Sequence, residues 1–333
     1  MKKKTQTRTT KKHDKALRIG IVAPGGPVDM PALAKNLNRI ERMAPGAFEF
    51  LVHPFVLDQP DFVFSSTDDQ RALSLAEYLV DPTVDVIWCA RGGYGAIRVL
   101  PLLDSLKAMP IQNASRKLLI GYSDMTVLLG YLQKQFGIRT VHGPMPGTGQ
   151  MSGFNTKKIA TLVESLRFGF VKPQKLSVNC ILETLPSQSG CVSGVLKGGN
   201  LSLLVSTIGT PYRESFNDAI LFLEDIQEPF YKIDRLIEQA ILAKAWTGVK
   251  AVVLGTFVGC SDIPPTSISQ KPLRRKISTE AGLAEMAYRI SDALECPVFS
   301  GLPIGHGKHE SGWFEYGKLA KVSWVKGRAT LEC

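Results

Sequence analysis

The feature that most constrains the fold is a regular alternation of short apolar runs and amphipathic helical patterns between Leu17 and His142. The apolar runs predict buried strands, and the patterns with a period of about 3.6 residues predict helices. This order favours an α/β fold with a mostly parallel sheet covered on both faces, whose ligands bind beyond the carboxyl ends of the strands. The predicted strands are Leu17–Ala23, Phe48–His53, Val84–Cys89, Lys117–Ile120 and Arg139–His142, and the predicted helices are Met30–Met43, Asp68–Leu79, Ala96–Leu103 and Met125–Gln135.

The alternation is interrupted over residues 147–190, where glycine-rich and polar stretches flank one short helical pattern at Ile159–Leu166. We interpret 147–190 as a linker between an N-terminal domain over 18–146 and a C-terminal domain over 191–326. In the second domain, Ser261–Ser278 is predicted to be a polar, basic surface loop. The other predicted elements there are strands at Gly190–Leu196, Ala219–Leu223, Val249–Phe257, Pro297–Ser300 and Lys318–Val325, and helices at Asn200–Ile208, Ile233–Ala243 and Thr279–Leu294.

The net charge of +10 is concentrated at the start of the chain. Residues 1–18 contain eight basic residues and one acidic residue, so the rest of the chain is close to neutral. We interpret residues 1–17 as a disordered basic tail and expect no nucleic-acid partner. No apolar segment of a secretory signal follows the tail, and no apolar stretch reaches the roughly 18 residues of a membrane span. We therefore expect no membrane partner. The six cysteines form no C-x-x-C pair, so we expect a cytoplasmic protein without a disulfide framework or a zinc ribbon.

A candidate nucleophile stands in the tetrad Gly121-Tyr122-Ser123-Asp124, between a predicted strand and a predicted helix. A serine on such a sharp turn exposes its hydroxyl at the carboxyl edge of the sheet, next to free backbone N–H groups. The alternative interpretation of Ser123 is an ordinary helix N-cap.

Because serine needs a base to take its proton, the five histidines are the next candidates. His306 lies between Gly305 and Gly307, and glycines on both sides allow a loop to bring an imidazole close to other groups. His306 is therefore the best candidate base, and His142, beside Gly143-Pro144, is the reserve. A surface turn histidine is the alternative for His306.

A carboxylate that could orient the base follows the apolar strand Ala219–Leu223, which ends in Glu224-Asp225. Side chains alternate along a strand, so one of these two acids should face the site and the other should face away. The pattern does not say which.

The oxyanion donors are expected to be backbone N–H groups of Asp124 and of Gly92 or Gly93 in the turn Arg91-Gly92-Gly93-Tyr94-Gly95. The glycine turns contain neither G-x-G-x-x-G nor a P-loop lysine motif, and the chain has no H-E-x-x-H. We therefore expect no cofactor and no metal.

Taken together, these motifs resemble the L,D-carboxypeptidase family of serine peptidases, which also includes the microcin C immunity peptidases. The similarity runs from about Arg18 to about Trp324. The motifs that carry it are Arg91–Gly95, Gly121–Asp124, His142-Gly143-Pro144-Met145, Gly198-Gly199-Asn200-Leu201, Leu223-Glu224-Asp225, Tyr231-Lys232-Ile233-Asp234-Arg235 and Gly301–Gly307. The chain departs from the family pattern at Pro24-Gly25-Gly26 and in the length of Ser261–Ser278.

The resemblance implies a Rossmann-like N-terminal domain, a swivelling β/α C-terminal domain and a catalytic triad of Ser123, His306 and Glu224 between them. It implies a cytoplasmic homodimer that needs no metal and releases terminal D-alanine from muropeptide tetrapeptides during cell-wall recycling. A second function within the family is cleavage of peptidyl- or aminoacyl-nucleotides. A function of a different class is that of a catalytically silent protein that binds a small peptide.

Overall fold

The computed structural model describes residues 15–58, 62–108, 111, 114–170, 172, 174–181, 184, 187–261, 279–307 and 312–333. Nearly all of the predicted basic tail and of the predicted loop Ser261–Ser278 lie outside these residues, so both remain predictions.

The N-terminal part of the chain forms a six-stranded sheet with the strand order β11-β5-β4-β3-β1-β2. Its first five strands pair in parallel, and the sixth, β11 (Phe314–Glu315), returns from far along the chain and pairs antiparallel with β5. The parallel sheet expected from the alternation is confirmed. The strands are β1 (Leu17–Val22), β2 (Phe48–Val52), β3 (Val86–Cys89), β4 (Leu118–Gly121) and β5 (Arg139–His142), and the helices are α1 (Met30–Met43), α2 (Asp68–Val80), α3 (Ala96–Leu103) and α4 (Thr126–Phe136).

Local chemistry explains where these elements begin. Every residue of β3 and β4 is buried, because helices cover both faces of the parallel sheet. The Asp29 side chain accepts a hydrogen bond from the Ala32 N–H at the start of α1, and Thr67 and Gln70 form a capping box at the start of α2. Caps of this kind are each worth about 1 kcal/mol.

Residues 147–190 form two helices that pack on the first domain and one strand that belongs to the barrel of the second domain. Helices α5 (Gly149–Ser152) and α6 (Thr156–Phe168) pack on α1, and their apolar side chains join the core under the sheet. Strand β6 (Lys175–Cys180) pairs with strands of the second domain. The stretch interpreted as a linker therefore also contributes secondary structure to both domains. Its apolar residues at helical spacing are buried where α6 packs against α1.

The second domain is a closed barrel with the strand order β10-β6-β13-β12-β7-β8-β9. Strands β7 to β10 pair in parallel and the remaining pairs are antiparallel. A two-domain α/β architecture is thus confirmed. The strands are β7 (Ser189–Asn200), β8 (Ala219–Ile226), β9 (Ala251–Val258), β10 (Val298–Ser300), β12 (Leu319–Val325) and β13 (Arg328–Glu332), and the helices are α7 (Leu201–Ser206), α8 (Phe230–Leu242) and α9 (Thr279–Leu294).

The backbone at the end of β7 comes close to a side chain at the start of α4, where the two domains meet. Gly199 has a φ of +144°, and an added Cβ there would stand 2.5 Å from the Thr126 side chain of α4. The Thr126 hydroxyl also accepts a hydrogen bond of 3.1 Å from the Asn200 N–H. Glycine at position 199 thus lets β7 lie directly against the start of α4, one turn from Ser123.

Candidate active site

Ser123 stands on a sharp turn between β4 and α4. Its φ is +62°, a left-handed conformation that costs a non-glycine residue about 1–3 kcal/mol. A short 3₁₀ segment over Ser123–Met125 leads from the turn into α4. This conformation is the one expected of a nucleophile turn, and it is not the extended conformation of an ordinary N-cap.

His306 lies between the serine and an acid. Its Nε2 is 2.9 Å from Ser123 Oγ, and its Nδ1 is 2.8 Å from Glu224 Oε2. The residue before it, Gly305, has a φ of +112°, and a Cβ there would stand 2.3 Å from Thr256 Oγ1. Glycine is required at position 305 for the loop after β10 to bring the imidazole to this point.

Glu224 and Asp225 at the end of β8 form hydrogen bonds with different groups. Glu224 is fully buried and faces His306. The Asp225 carboxylate accepts hydrogen bonds from Asn200 Nδ2 at 2.9 Å and from the Ser202 N–H at 3.0 Å, at the start of α7. The two acids thus have different partners, although the pairing of β8 with β9 shifts register between Leu223 and Asp225, and Glu224 is the acid that contacts the histidine.

The pKa of His306 lies above the ordinary histidine value. Burial by itself would lower this pKa, but the hydrogen bond and negative charge of Glu224, together with the charge of Asp225, outweigh it. The carboxylates therefore favour the imidazolium that forms when His306 accepts a proton.

His142, the reserve candidate for the base, lies outside this hydrogen-bonded chain. It is buried among aromatic rings, with the Phe222 centroid 5.2 Å and the Phe314 centroid 5.6 Å away. Burial and the charge of His306 lower the pKa of His142 to about 3, so it stays neutral. Its position among apolar rings makes it part of the interdomain core.

Gly92 borders the space beside the serine. A Cβ built on Gly92 would stand 3.2 Å from Ser123 Oγ and 3.3 Å from the backbone nitrogen of Asp124. Gly93, with a φ of +88°, packs instead against Gly26, whose N–H donates to the Gly92 carbonyl at 2.7 Å. The Pro24-Gly25-Gly26 turn thus supports the Arg91–Gly95 turn.

The Asp124 side chain connects the turn that carries Ser123 to α3. Its Oδ2 accepts a hydrogen bond of 2.9 Å from the Ala96 N–H. Burial raises the pKa of this carboxyl to about 6, against the opposing effects of the Ala96 and Gly95 N–H groups and of the Arg71 charge.

Arg71 is a supporting residue that no sequence motif indicated. It is fully buried and donates hydrogen bonds to the carbonyls of Pro24 and Gly95 and, at 3.2 Å, to that of Ser66. Its charge is balanced by Asp68. Arg71 therefore holds together the backbone turns that surround the site, and its role depends on contacts that are distant in sequence.

The described part of the chain offers no group of three or more His, Cys, Asp or Glu side chains arranged to hold a metal ion. All six cysteines are free thiols. Among the same described residues, no helix combines the length and apolarity needed to cross a membrane.

Comparison with known proteins identifies both halves of the chain. Residues 19–143 match the LD-carboxypeptidase N-terminal domain, and residues 193–322 match the LD-carboxypeptidase C-terminal domain. A putative carboxypeptidase of Streptomyces coelicolor is 36% identical over 73% of this chain and 76% of its own. The murein tetrapeptide carboxypeptidase of Pseudomonas aeruginosa is 28% identical over 91% of this chain and 92% of its own.

Solved structures show the same fold. The crystal structure of muramoyltetrapeptide carboxypeptidase from Oxalobacter formigenes has a TM-score of 0.74 at 26% identity, covering 95% of this chain and 98% of that one. The microcin C7 self-immunity protein MccF of Escherichia coli is a further relative, 28% identical over 71% of this chain and 74% of its own. On these matches, the chain belongs to the LD-carboxypeptidase family.

Proposed function

We propose that this protein is a serine-type L,D-carboxypeptidase that releases terminal D-alanine from muropeptide tetrapeptides, with Ser123, His306 and Glu224 as its catalytic triad. The observation that carries the proposal is the hydrogen-bonded chain from Ser123 Oγ through His306 to the buried Glu224. The relatives named as murein or muramoyltetrapeptide carboxypeptidases support the choice of substrate.

In the proposed first step, Ser123 Oγ attacks the carbonyl carbon of the bond before the terminal residue while His306 Nε2 accepts the hydroxyl proton. Glu224 orients the imidazole through Nδ1 and stabilises its positive charge. The tetrahedral oxyanion would be bound by the N–H of Asp124 and by an N–H of Gly92 or Gly93, the two glycines of the adjacent turn.

Collapse of this intermediate breaks the C–N bond, and His306 gives its proton to the leaving amine of D-alanine. The peptide remains as an ester on Ser123. A water molecule then attacks this ester, losing one proton to His306, and the regenerated Ser123 hydroxyl takes that proton as the shortened peptide leaves. No cofactor is required, because every proton transfer passes through His306.

Hydrolysis of a peptidyl- or aminoacyl-nucleotide is the second candidate function, and the similarity to MccF favours it. The two substrate classes share a carbonyl that Ser123 would attack, so the triad alone does not separate them. The deciding experiment measures kcat/KM of the same enzyme for two substrates, a tetrapeptide ending in D-alanine and an aminoacyl sulfamoyl nucleotide, and compares the two values. A higher value for the nucleotide compound would overturn the proposed substrate.

A catalytically silent peptide-binding protein would carry the same fold without a reactive serine. A serine-directed phosphonate forms a covalent bond only with an activated hydroxyl, so it separates the two interpretations. We expect labelling of wild type at Ser123 and none of the His306→Ala variant. Failure of the wild-type protein to label would contradict the proposed triad.

We further propose that the enzyme acts as a cytoplasmic homodimer, as the family resemblance implies. Light scattering of the purified protein and fractionation of cells producing it test the two parts separately. A monomeric mass at micromolar concentration, or recovery outside the cytoplasmic fraction, would contradict the corresponding part.

A further inference from the structure

The side chain of Gln150 reaches across to the loop that carries His306. Gln150 lies in α5, and its Nε2 donates hydrogen bonds to the carbonyl of Gly305 at 2.8 Å and to the carbonyl of Gly307 at 3.2 Å. These carbonyls belong to the residues immediately before and after the histidine. One side-chain amide thus holds both ends of the tripeptide Gly305-His306-Gly307.

Helix α5 is itself fixed to the N-terminal domain. The Gly147 N–H donates to the Ala90 carbonyl at 2.8 Å, directly after β3 and one residue before the Arg91–Gly95 turn. Asn36 of α1 donates to the Pro146 carbonyl at 2.8 Å and to Ser152 Oγ at 3.2 Å. Met151, the neighbour of Gln150, is fully buried in the core under the sheet.

Ser123 belongs to the N-terminal domain, whereas His306 is delivered by the loop after β10 of the barrel. The distance between Ser123 Oγ and His306 Nε2, 2.9 Å, therefore depends on how the loop is held against the first domain. We propose that Gln150 is a positioning residue that sets this distance, so that His306 can take the serine proton. This inference rests on the proposed function, since it assumes that His306 acts as the base.

The proposed role of Gln150 requires a side chain that donates hydrogen bonds. Among the residues that the structure describes, Nε2 faces two carbonyl oxygens, so the group at this place must donate hydrogen bonds. A carboxylate at the same place has no donor and would face two oxygens. Gln150→Glu, almost identical in shape, should therefore displace the loop, and Gln150→Ala should release it.

The matched control is Gln133 of α4, whose Nε2 donates to the Tyr316 carbonyl at 3.0 Å. This bond also links an amide of the first domain to backbone near the barrel, but it does not touch the His306 loop. Gln133→Glu thus reproduces the chemical change and the loss of a hydrogen bond between residues distant in sequence, without moving the proposed base.

The experiment compares wild type with Gln150→Glu, Gln150→Ala and Gln133→Glu. For each protein it measures the rate of Ser123 labelling by a serine-directed phosphonate, and kcat and KM for the tetrapeptide. A displacement of about 1 Å costs on the order of a hundredfold in rate. We expect both Gln150 variants to label and turn over about a hundredfold more slowly, with KM nearly unchanged and Gln133→Glu close to wild type. The pH midpoint of labelling should also shift downward in Gln150→Ala, because a looser His306–Glu224 pair returns the histidine pKa towards its ordinary value.

Two failures can be told apart. If wild type does not label at all, the proposed triad fails. If wild type labels at Ser123 and the Gln150 variants label and turn over equally fast, only the role of Gln150 is overturned. Equal losses in Gln133→Glu and Gln150→Glu would also overturn it, because they would show a general effect of losing a side-chain hydrogen bond between distant parts of the chain.

Discussion

Replacing Gly92 with alanine would place a methyl group where the oxyanion is proposed to form. The added Cβ would stand 3.0 Å from Ser123 Cβ, 3.2 Å from Ser123 Oγ and 3.3 Å from the Asp124 nitrogen. Gly92 does not have the positive φ of Gly93 and Gly95, so its backbone can accept alanine. The substitution therefore changes the space beside the serine and leaves the turn itself intact.

Alanine keeps the Gly92 N–H, but its methyl group would displace the oxyanion from a donor, so the expected loss can be estimated from what one oxyanion donor contributes. Removing a single donor costs about 10²–10³ in kcat, or about 2.7–4 kcal/mol of transition-state stabilisation. The same methyl group overpacks its neighbours by a few tenths of an ångström, and overpacking costs about 1–3 kcal/mol in stability. We therefore expect at least a hundredfold loss of kcat in a protein that still folds, with Tm lowered by several degrees.

The assay is D-alanine release from the tetrapeptide below the Tm of both proteins, with Tm measured separately. Gly149→Ala is the matched control, because a Cβ at Gly149 meets no atom within 4 Å. A Gly92→Ala enzyme with kcat within threefold of wild type would refute the placement of the oxyanion beside Gly92.

Three further predictions follow from the charges and the geometry of the site. Glu224→Gln should move the acid limb of the kcat/KM profile to lower pH, because the carboxylate raises the pKa of His306 and its removal lets that pKa fall; an unmoved limb would argue against this pairing. The pKa of Asp124 in the folded protein, about 6, is higher than the pKa of an aspartate in the unfolded chain. The folded state therefore binds this proton more tightly than the unfolded state does. The resulting stabilisation is present at low pH and is lost as the pH rises through 6. Wild type should therefore lose about 1 kcal/mol relative to Asp124→Asn between pH 5 and pH 7 in urea unfolding, and parallel curves would contradict this. Finally, a tetrapeptide ending in D-alanine should be cleaved at least tenfold faster than the same peptide ending in L-alanine, because inversion displaces the terminal carboxylate from its donors; preference for the L-alanine peptide would refute L,D specificity.

The N-terminal sheet could be predicted from the sequence because its signals are local. The fully buried strands β3 and β4 are continuous apolar runs, and α1 and α3 have the predicted bounds, Met30–Met43 and Ala96–Leu103. The turns that carry Ser123 and Gly92 follow these strands directly.

The barrel was harder to predict because its closure depends on distant pairing. Strand β6 (Lys175–Cys180) has mostly exposed or half-buried residues and pairs with β13 (Arg328–Glu332), so no apolar run marks either strand. The predicted strand Gly190–Leu196 continues to Asn200, because Gly198 and Gly199 allow the backbone to pass close to Phe222 and Thr126.

Within the site, the sequence predicted residue types at element ends but not the contacts made over long distances. The alternation along β8 left Glu224 and Asp225 equivalent, and only the resemblance selected Glu224. Arg71 and Gln150 carry no motif, since their partners, such as Gly95 and Gly305, are remote in the chain. Spatial proximity alone identifies them.

In the proposed mechanism, Ser123 attacks the peptide, which then stays bound to the serine as an ester. The most direct test mixes the enzyme with muropeptide tetrapeptide, quenches the reaction in acid and analyses both the solution and the digested protein by mass spectrometry. We predict free D-alanine in solution and the shortened peptide attached to the fragment containing Ser123, with neither product from Ser123→Ala. Release of D-alanine by Ser123→Ala at the wild-type rate would contradict it.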